Sequence, residues 1–123
     1  MIPRLLRTVW HAAPLWRISL WLLIMVVSWL AFNPKPPAGA TLGWDKLNHA
    51  SAFAALAFCA ARAHVGATGR IVAGLLAYGA LIEVVQSMVP GRSGEVADLL
   101  ADAVGLGAGL LLAQALGRLI QPR

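Results

Sequence analysis

Residues 15–32 read LWRISLWLLIMVVSWLAF, and this stretch decides the fold class. It holds one charge, Arg17, in a run of apolar side chains that ends before Asn33-Pro34-Lys35-Pro36-Pro37. A bilayer hydrocarbon core of about 30 Å needs about 20 helical residues, so the run is near spanning length. In lipid a spanning segment must satisfy its backbone hydrogen bonds internally, which makes it a helix. Three further segments have similar length: residues 45–64, 70–89 and 95–118. The breaks are short, at residues 33–44, around Val65–Gly69, and at Pro90-Gly91. Short connections place consecutive helices side by side and antiparallel. The expectation is an all-α chain, one domain over residues 1–123, folded as an antiparallel bundle of four transmembrane helices.

Composition agrees. Hydrophobic residues make up 59% of the 123, and charged residues only 12%. Mean hydropathy is +0.74. A soluble domain is nearer a quarter charged. The net charge of +5 is dispersed between apolar runs, with no basic stripe interleaved with aromatics, so nucleic acid is not an expected partner. The lone cysteine, Cys59, excludes an internal disulfide framework and reads as a small packing residue. A signal peptide competes for the first 40 residues through the basic start and Ala38-Gly39-Ala40. The apolar run exceeds the usual h-region of about 7–15 residues, which favours a retained helix.

Basic residues orient the bundle. With the N-terminus in the cytoplasm, Arg4, Arg7, Arg17, Arg62, Arg70, Arg118 and Arg123 lie inside, and Lys35, Lys46 and Arg92 outside. The bias predicts a multi-pass protein of the bacterial cytoplasmic (inner) membrane with both termini cytoplasmic. Trp10, Trp16, Trp29 and Trp44 fall near expected interfaces, with Trp21 deeper. In the fourth segment Gly105 and Gly109 form a small-xxx-small pair, matched by Ala50, Ala54, Ala57 and Ala61 in the second, and predict close packing within the bundle.

All five carboxylates, Asp45, Glu83, Glu95, Asp98 and Asp102, fall at the outer ends of these helices. An acid costs about 2.5–3.5 kcal/mol at mid-membrane on insertion scales, so such a gathering is a functional-site hypothesis. Asp45 and His49 share a helical face, as do Asp98 and Asp102, each pair being four apart. Asp45 can alternatively cap the second helix, and Ser93 or Gly94 can open the fourth, with Glu95 as a solvated first-turn charge. Glu83 lies seven residues before Pro90, roughly 10 Å below the loop, and needs a proton, a wet cleft, or a partner such as His49 or Arg92. Asp45, Glu83, Asp98 and Asp102 exceed Lys46 and Arg92 by two formal charges. Protonated carboxyls, a protonated His49, a divalent cation or a cationic ligand group would relieve that excess. No established metal-ligand spacing is present.

Asp45-Lys46-Leu47-Asn48-His49, then Glu83-Val84-Val85-Gln86, Pro90-Gly91-Arg92, and Asp98-Leu99-Leu100-Ala101-Asp102 with Gly105 resemble the VanZ-like family of small bacterial membrane proteins. That family's pattern runs D-K-x-x-H, E-x-x-Q, a P-x-R-like turn, and D-hydrophobic-hydrophobic-x-N followed by Gly. The resemblance spans roughly residues 45–110 and departs at Asp102, where the family usually has Asn. The family takes its name from an accessory protein of glycopeptide-antibiotic resistance. Three readings follow. In the first, an outer-leaflet site binds or handles an amphiphilic envelope lipid or a glycopeptide-like molecule, with Asp45, Lys46, Gln86, Arg92 and Asp102 as ligand-binding candidates. In the second, a small intramembrane enzyme acts on a lipid head group, with His49, Glu83 and Asp98 as catalytic candidates and Arg92 stabilising negative charge. In the third, the polar cluster only locks the helices of a structural or assembly protein. A sealed, fully paired cluster marks the lock; an open cleft marks a binding or reacting site.

Overall fold

Four long helices account for most of the chain, and each ends where the sequence supplies a breaker. The computed structural model describes residues 2–121. A short helix, α1 (Arg4–His11), precedes α2 (Ala13–Phe32), α3 (Asp45–Ala63), α4 (Thr68–Met88) and α5 (Val96–Ile120). A single 3-10 turn over Ala38–Ala40 interrupts the α2–α3 connection. Among the described residues the chain is all-helical, without strands. Pro14 sits in the first turn of α2, where its missing N–H costs nothing. His64 ends α3 in the left-handed region at φ 52°. Gly91, at φ 78°, makes the turn between α4 and α5.

Among the described residues three helices are long and apolar enough to cross a membrane: α2, α4 and α5. Their exposed faces carry large apolar side chains, such as Trp21, Met25 and Trp29 on α2 and Leu100, Val104 and Leu111 on α5. Apolar residues around the whole circumference suit hydrocarbon outside the bundle. The expected second span, residues 45–64, differs. It forms α3 at nearly those bounds but is not apolar enough to count with the other three. The physical reason is its position. α3 buries Phe53, Leu56, Ala57, Cys59, Ala60, Arg62 and Ala63, so its small and polar residues meet protein on most sides.

Cross-helix contacts give the topology. Gly79 lies against Asp102, and Glu83 meets Glu95, so α4 and α5 run in opposite senses. Arg17 donates from Nε to the carbonyl of Ala63 at 3.0 Å, pairing the start of α2 with the end of α3. α3 and α5 run in the same sense and pack backbone to backbone. A Cβ on Gly105 would overlap the carbonyl oxygen of Ala50, and one on Gly109 that of Ala54. The small-residue pattern is thus an internal packing seam, as expected. The core continues through Leu20 and Ala31 of α2, Phe53 and Leu56 of α3, Ile71, Leu75 and Ile82 of α4, and Leu106 of α5. Cys59 is buried among them.

α1 was not anticipated. Leu5, Leu6 and Val9 are exposed, while Trp10 turns inward and is only 5% exposed. Arg62 stacks on the Trp10 ring, with Cζ 4.0 Å from the ring centroid, and Nη2 donates to the Trp10 carbonyl at 2.7 Å. Trp10 also meets Phe58 edge-on, with centroids 6.0 Å apart. It is therefore a clamp on α3. Arg62→Leu should free α1, because a desolvated cation–π contact contributes about 2 kcal/mol and the Trp10 carbonyl would lose its donor. Limited proteolysis after Arg4 or Arg7 should accelerate while the rest of the chain stays folded; unchanged cleavage would exclude the clamp.

Candidate functional site

The acidic end of the bundle is built where α3 and α5 begin and α4 ends. His49, one turn into α3, is the hub. Its Nδ1 lies 2.8 Å from Asp102 Oδ1 and 3.6 Å from Glu83 Oε1. On the other ring edge, Nε2 lies 3.7 Å from Asp98 Oδ2 and 3.9 Å from Asp45 Oδ2. Four carboxylates from three helices thus surround one imidazole. Asp98 and Asp102 are essentially inaccessible, at 1% and 0%. Their four-residue spacing puts both on the α5 face that carries Gly105 and Gly109, which the seam holds against α3.

Lys46, one residue into α3, spans two acids of α5. Its Nζ donates to Asp98 Oδ1 at 2.6 Å and to Glu95 Oε2 at 2.8 Å. Glu95 is half-exposed yet paired, more than a solvated helix-start charge. It is also the N-cap residue of α5, in place of Ser93 or Gly94, and makes no side-chain cap bond. Instead Glu83 Oε2 accepts its backbone N–H at 2.9 Å. A carboxylate from a neighbouring helix thus satisfies one of the free donors at the start of α5. Asp45 is no cap either. The N-cap of α3 is Trp44, and Asp45 stands in the first turn, exposed and facing His49.

Gln86 and Arg92 attach this end to α2. Buried Gln86 donates from Nε2 to the carbonyl of Ala31 at 3.1 Å. Arg92 donates from Nη1 to the carbonyls of Leu30 and Asn33 at 3.4 and 3.3 Å. Both use carbonyls left without partners at the C-terminus of α2. Arg92 was a candidate partner for Glu83; it binds α2 instead, and Glu83 turns to His49 and the start of α5. The candidate residues therefore divide into two groups. His49 and Arg92 line a cavity of about 700 Å³, together with Asp45, Lys46, Gln86 and Glu95. Glu83, Asp98 and Asp102 stand behind His49, outside that lining. Val27, Leu30, Ala52, Phe53 and Ile82 form an apolar wall, and Pro36, Pro37 and Trp44 the rim. His64, at the far end of α3, lies away from it, as does Cys59.

Among the described residues two sets of donors are close enough to hold a metal ion: Asp45, His49 and Asp98 on one ring edge, and His49, Glu83 and Asp102 on the other. Gly79, which the sequence did not single out, borders the second set. A Cβ there would lie 2.7 Å from Asp102 Oδ2, 3.2 Å from Leu99 Cδ1 and 3.3 Å from Phe53 Cζ. Gly79→Ala should therefore push Asp102 off His49 and lower stability by about 1–2 kcal/mol. Gly74→Ala, on the same helix with open space around it, should be neutral or stabilising. Equal melting temperatures for the two variants would contradict the fit around Asp102. Tyr78, also unanticipated, pairs with Ser28 at 2.6 Å and stacks on Phe53 beneath the cavity.

The VanZ/LLP1 family profile matches residues 5–117, nearly the whole chain. The chain belongs to the VanZ/LLP1 family. No curated protein and no solved structure gives a match. In this VanZ/LLP1 member the match extends from α1 into the last turn of α5, well beyond the motifs between Asp45 and Gly105. Asp102, which stands where the resemblance leads one to expect Asn, is fully buried beside His49 Nδ1. Either side chain can accept a hydrogen bond there; only Asp adds a charge.

Proposed function

We propose that this VanZ/LLP1 protein binds or handles an amphiphile with an anionic head group in the cavity at the acidic end of the bundle. The carrying observation is the mixed lining of the cavity. Its apolar residues suit an acyl chain, and Lys46, His49 and Arg92 line the same space and can meet an anionic group. Arg92 spends only Nη1 on α2, so Nε and Nη2 are left for phosphate or carboxylate oxygens. The open cavity beside the acids favours a working site over a helix lock. The ligand class is an envelope lipid or a glycopeptide-like molecule carrying such a group. Native mass spectrometry in detergent tests this. Phosphatidylglycerol or phosphatidic acid should form an adduct that diacylglycerol does not, and Arg92→Gln or the cavity-filling Ala52→Phe should remove it. Equal adducts for all three lipids and all variants would overturn the reading.

In this proposal all four long helices cross the inner membrane, α3 shielded by the other three, with both termini cytoplasmic and the acidic end at the outer leaflet. Arg17 and Arg62 sit at the opposite end from Lys46 and Arg92, which is the arrangement the basic-residue bias calls for. Arg123 lies outside the described residues. With Cys59 replaced, cysteines at Ala38 and Ser93 should react with an impermeant thiol reagent on intact cells. Labelling only after permeabilisation would invert the orientation.

A second reading rests on one contact. Asp102 Oδ1 at 2.8 Å orients His49 so that, with the ring proton on Nδ1, Nε2 is free to act as a base on a head group. Loss of a head group from a bound lipid, abolished by His49→Gln, would select it over simple binding.

A further inference from the structure

The cluster around His49 contains an imbalance that its own hydrogen bonds leave in place. Lys46 serves the Nε2 side, pairing with Asp98 and Glu95. On the Nδ1 side stand Glu83 and Asp102, 11% and 0% exposed, and among the described residues neither is paired with a Lys or Arg. Each has a buried carboxylate oxygen with no hydrogen-bond partner: Glu83 Oε1 and Asp102 Oδ2. Buried polar atoms are nearly always satisfied, and two orphans on adjacent acids of one cluster call for a missing partner. Glu83 Oε1 is aimed at the ring, 3.6 Å from Nδ1. Asp102 Oδ2 lies over Gly79, one turn before Glu83 on α4.

We propose that His49, Glu83 and Asp102 hold a divalent first-row metal ion, of the Zn²⁺ or Mn²⁺ class, behind the amphiphile cavity. This rests on the same site reading as the proposed function. The donors need only side-chain adjustment to close on such an ion. Nitrogen and oxygen ligands lie about 2.0–2.2 Å from such an ion, so neighbouring donors stand roughly 3.0–3.6 Å apart. Here Nδ1 is 3.6 Å from Glu83 Oε1 and 2.8 Å from Asp102 Oδ1, a hydrogen-bond separation that must widen slightly when an ion replaces the proton, and the three donors lie within 4.8 Å of one another. The ion takes the place of the Nδ1 proton. The remaining ring proton then sits on Nε2, facing Asp98 Oδ2 at 3.7 Å, a carboxylate behind a metal-bound histidine. One imidazole with two carboxylates suits borderline ions better than Mg²⁺, which prefers oxygen and keeps its waters. A dication also neutralises both carboxylates, where a protonated His49 would offset one charge. Glu83 Oε2 stays on the Glu95 amide, so α5 keeps its anchor.

The test uses the full chain in detergent, stripped with chelator, with any purification tag removed. It is then dialysed against ZnCl₂ or MnCl₂ separately. Mass-spectrometric metal analysis should find a single retained ion per chain, and the melting temperature should rise with it. Co²⁺ should give a visible spectrum of mixed nitrogen and oxygen ligation. Glu83→Gln and Asp102→Asn should each weaken uptake roughly tenfold or more, while His64→Asn should not. If either variant fails to fold, the wild-type stoichiometry and Co²⁺ spectrum still decide. Wild-type protein that retains none of these ions, or variants that retain them equally, would overturn the site. Lipid capture persisting without ion uptake would refute the ion alone; ion uptake without lipid capture would uphold it and refute the lipid reading alone.

Discussion

Gly105→Leu should produce a chain that does not assemble. Gly105 and Gly109 have no room for a side chain, because the α3 backbone at Ala50 and Ala54 occupies the space. Backbone carbonyls cannot rotate aside like a long side chain, so α5 must shift bodily. Overpacking of a tight core costs on the order of 3 kcal/mol or more. The consequence reaches the site, since Asp102 and Asp98 are carried on the same α5 face about one and two turns earlier. Even Gly109→Ala should lower the melting temperature, whereas Gly107→Ala, with open space around it, should not. Circular dichroism melts in one detergent would show the ranking; a Gly105→Leu chain as stable as Gly107→Ala would contradict the seam.

Glu83→Gln is expected to separate folding from function. The amide oxygen can still accept the Glu95 N–H that Glu83 Oε2 accepts at 2.9 Å, so the start of α5 stays anchored. The substitution removes a charge that is nearly buried and faces only the His49 ring rather than a Lys or Arg, so stability should hold within about 1 kcal/mol or rise. Cellular function should nonetheless be lost, because the charge beside His49 is gone. The paired readouts are thermal stability and complementation of a deletion phenotype. Normal stability with full complementation would leave the polar cluster a structural lock at this residue.

Much of the helical framework was legible because lipid-facing segments are long, apolar and ended by Pro and Gly. Residues 15–32 and 70–89 became Ala13–Phe32 and Thr68–Met88, shifted by two residues or fewer. α1 was not read, since Arg4-Leu5-Leu6-Arg7 looks like a basic leader until Trp10 is seen to lock onto Arg62. The 45–64 segment formed its helix at nearly the expected bounds but is less apolar than the other three, because a helix surrounded by protein needs small residues more than apolar ones. The acids could be gathered at one end from spacing alone. Which oxygen each would meet could not, because pairing across helices depends on rotation and depth. Spacing did not reveal that Lys46 serves Asp98 and Glu95, that Arg92 serves α2, or that Gly79 makes room for Asp102.

The central claim is that the cavity beside His49 takes an anionic amphiphile, and a photo-crosslinking residue at Ala52 tests it most directly in native membranes. Ala52 lines the apolar wall, whereas Leu81 on α4 is exposed and in the proposed topology faces bulk lipid. The Ala52 probe should capture one class of anionic lipid or lipid-linked molecule well above its abundance in the membrane. Arg92→Gln should abolish that enrichment, and a probe at Leu81 should report bulk composition throughout. Capture at Ala52 in bulk proportions, unchanged by Arg92→Gln, would contradict the account.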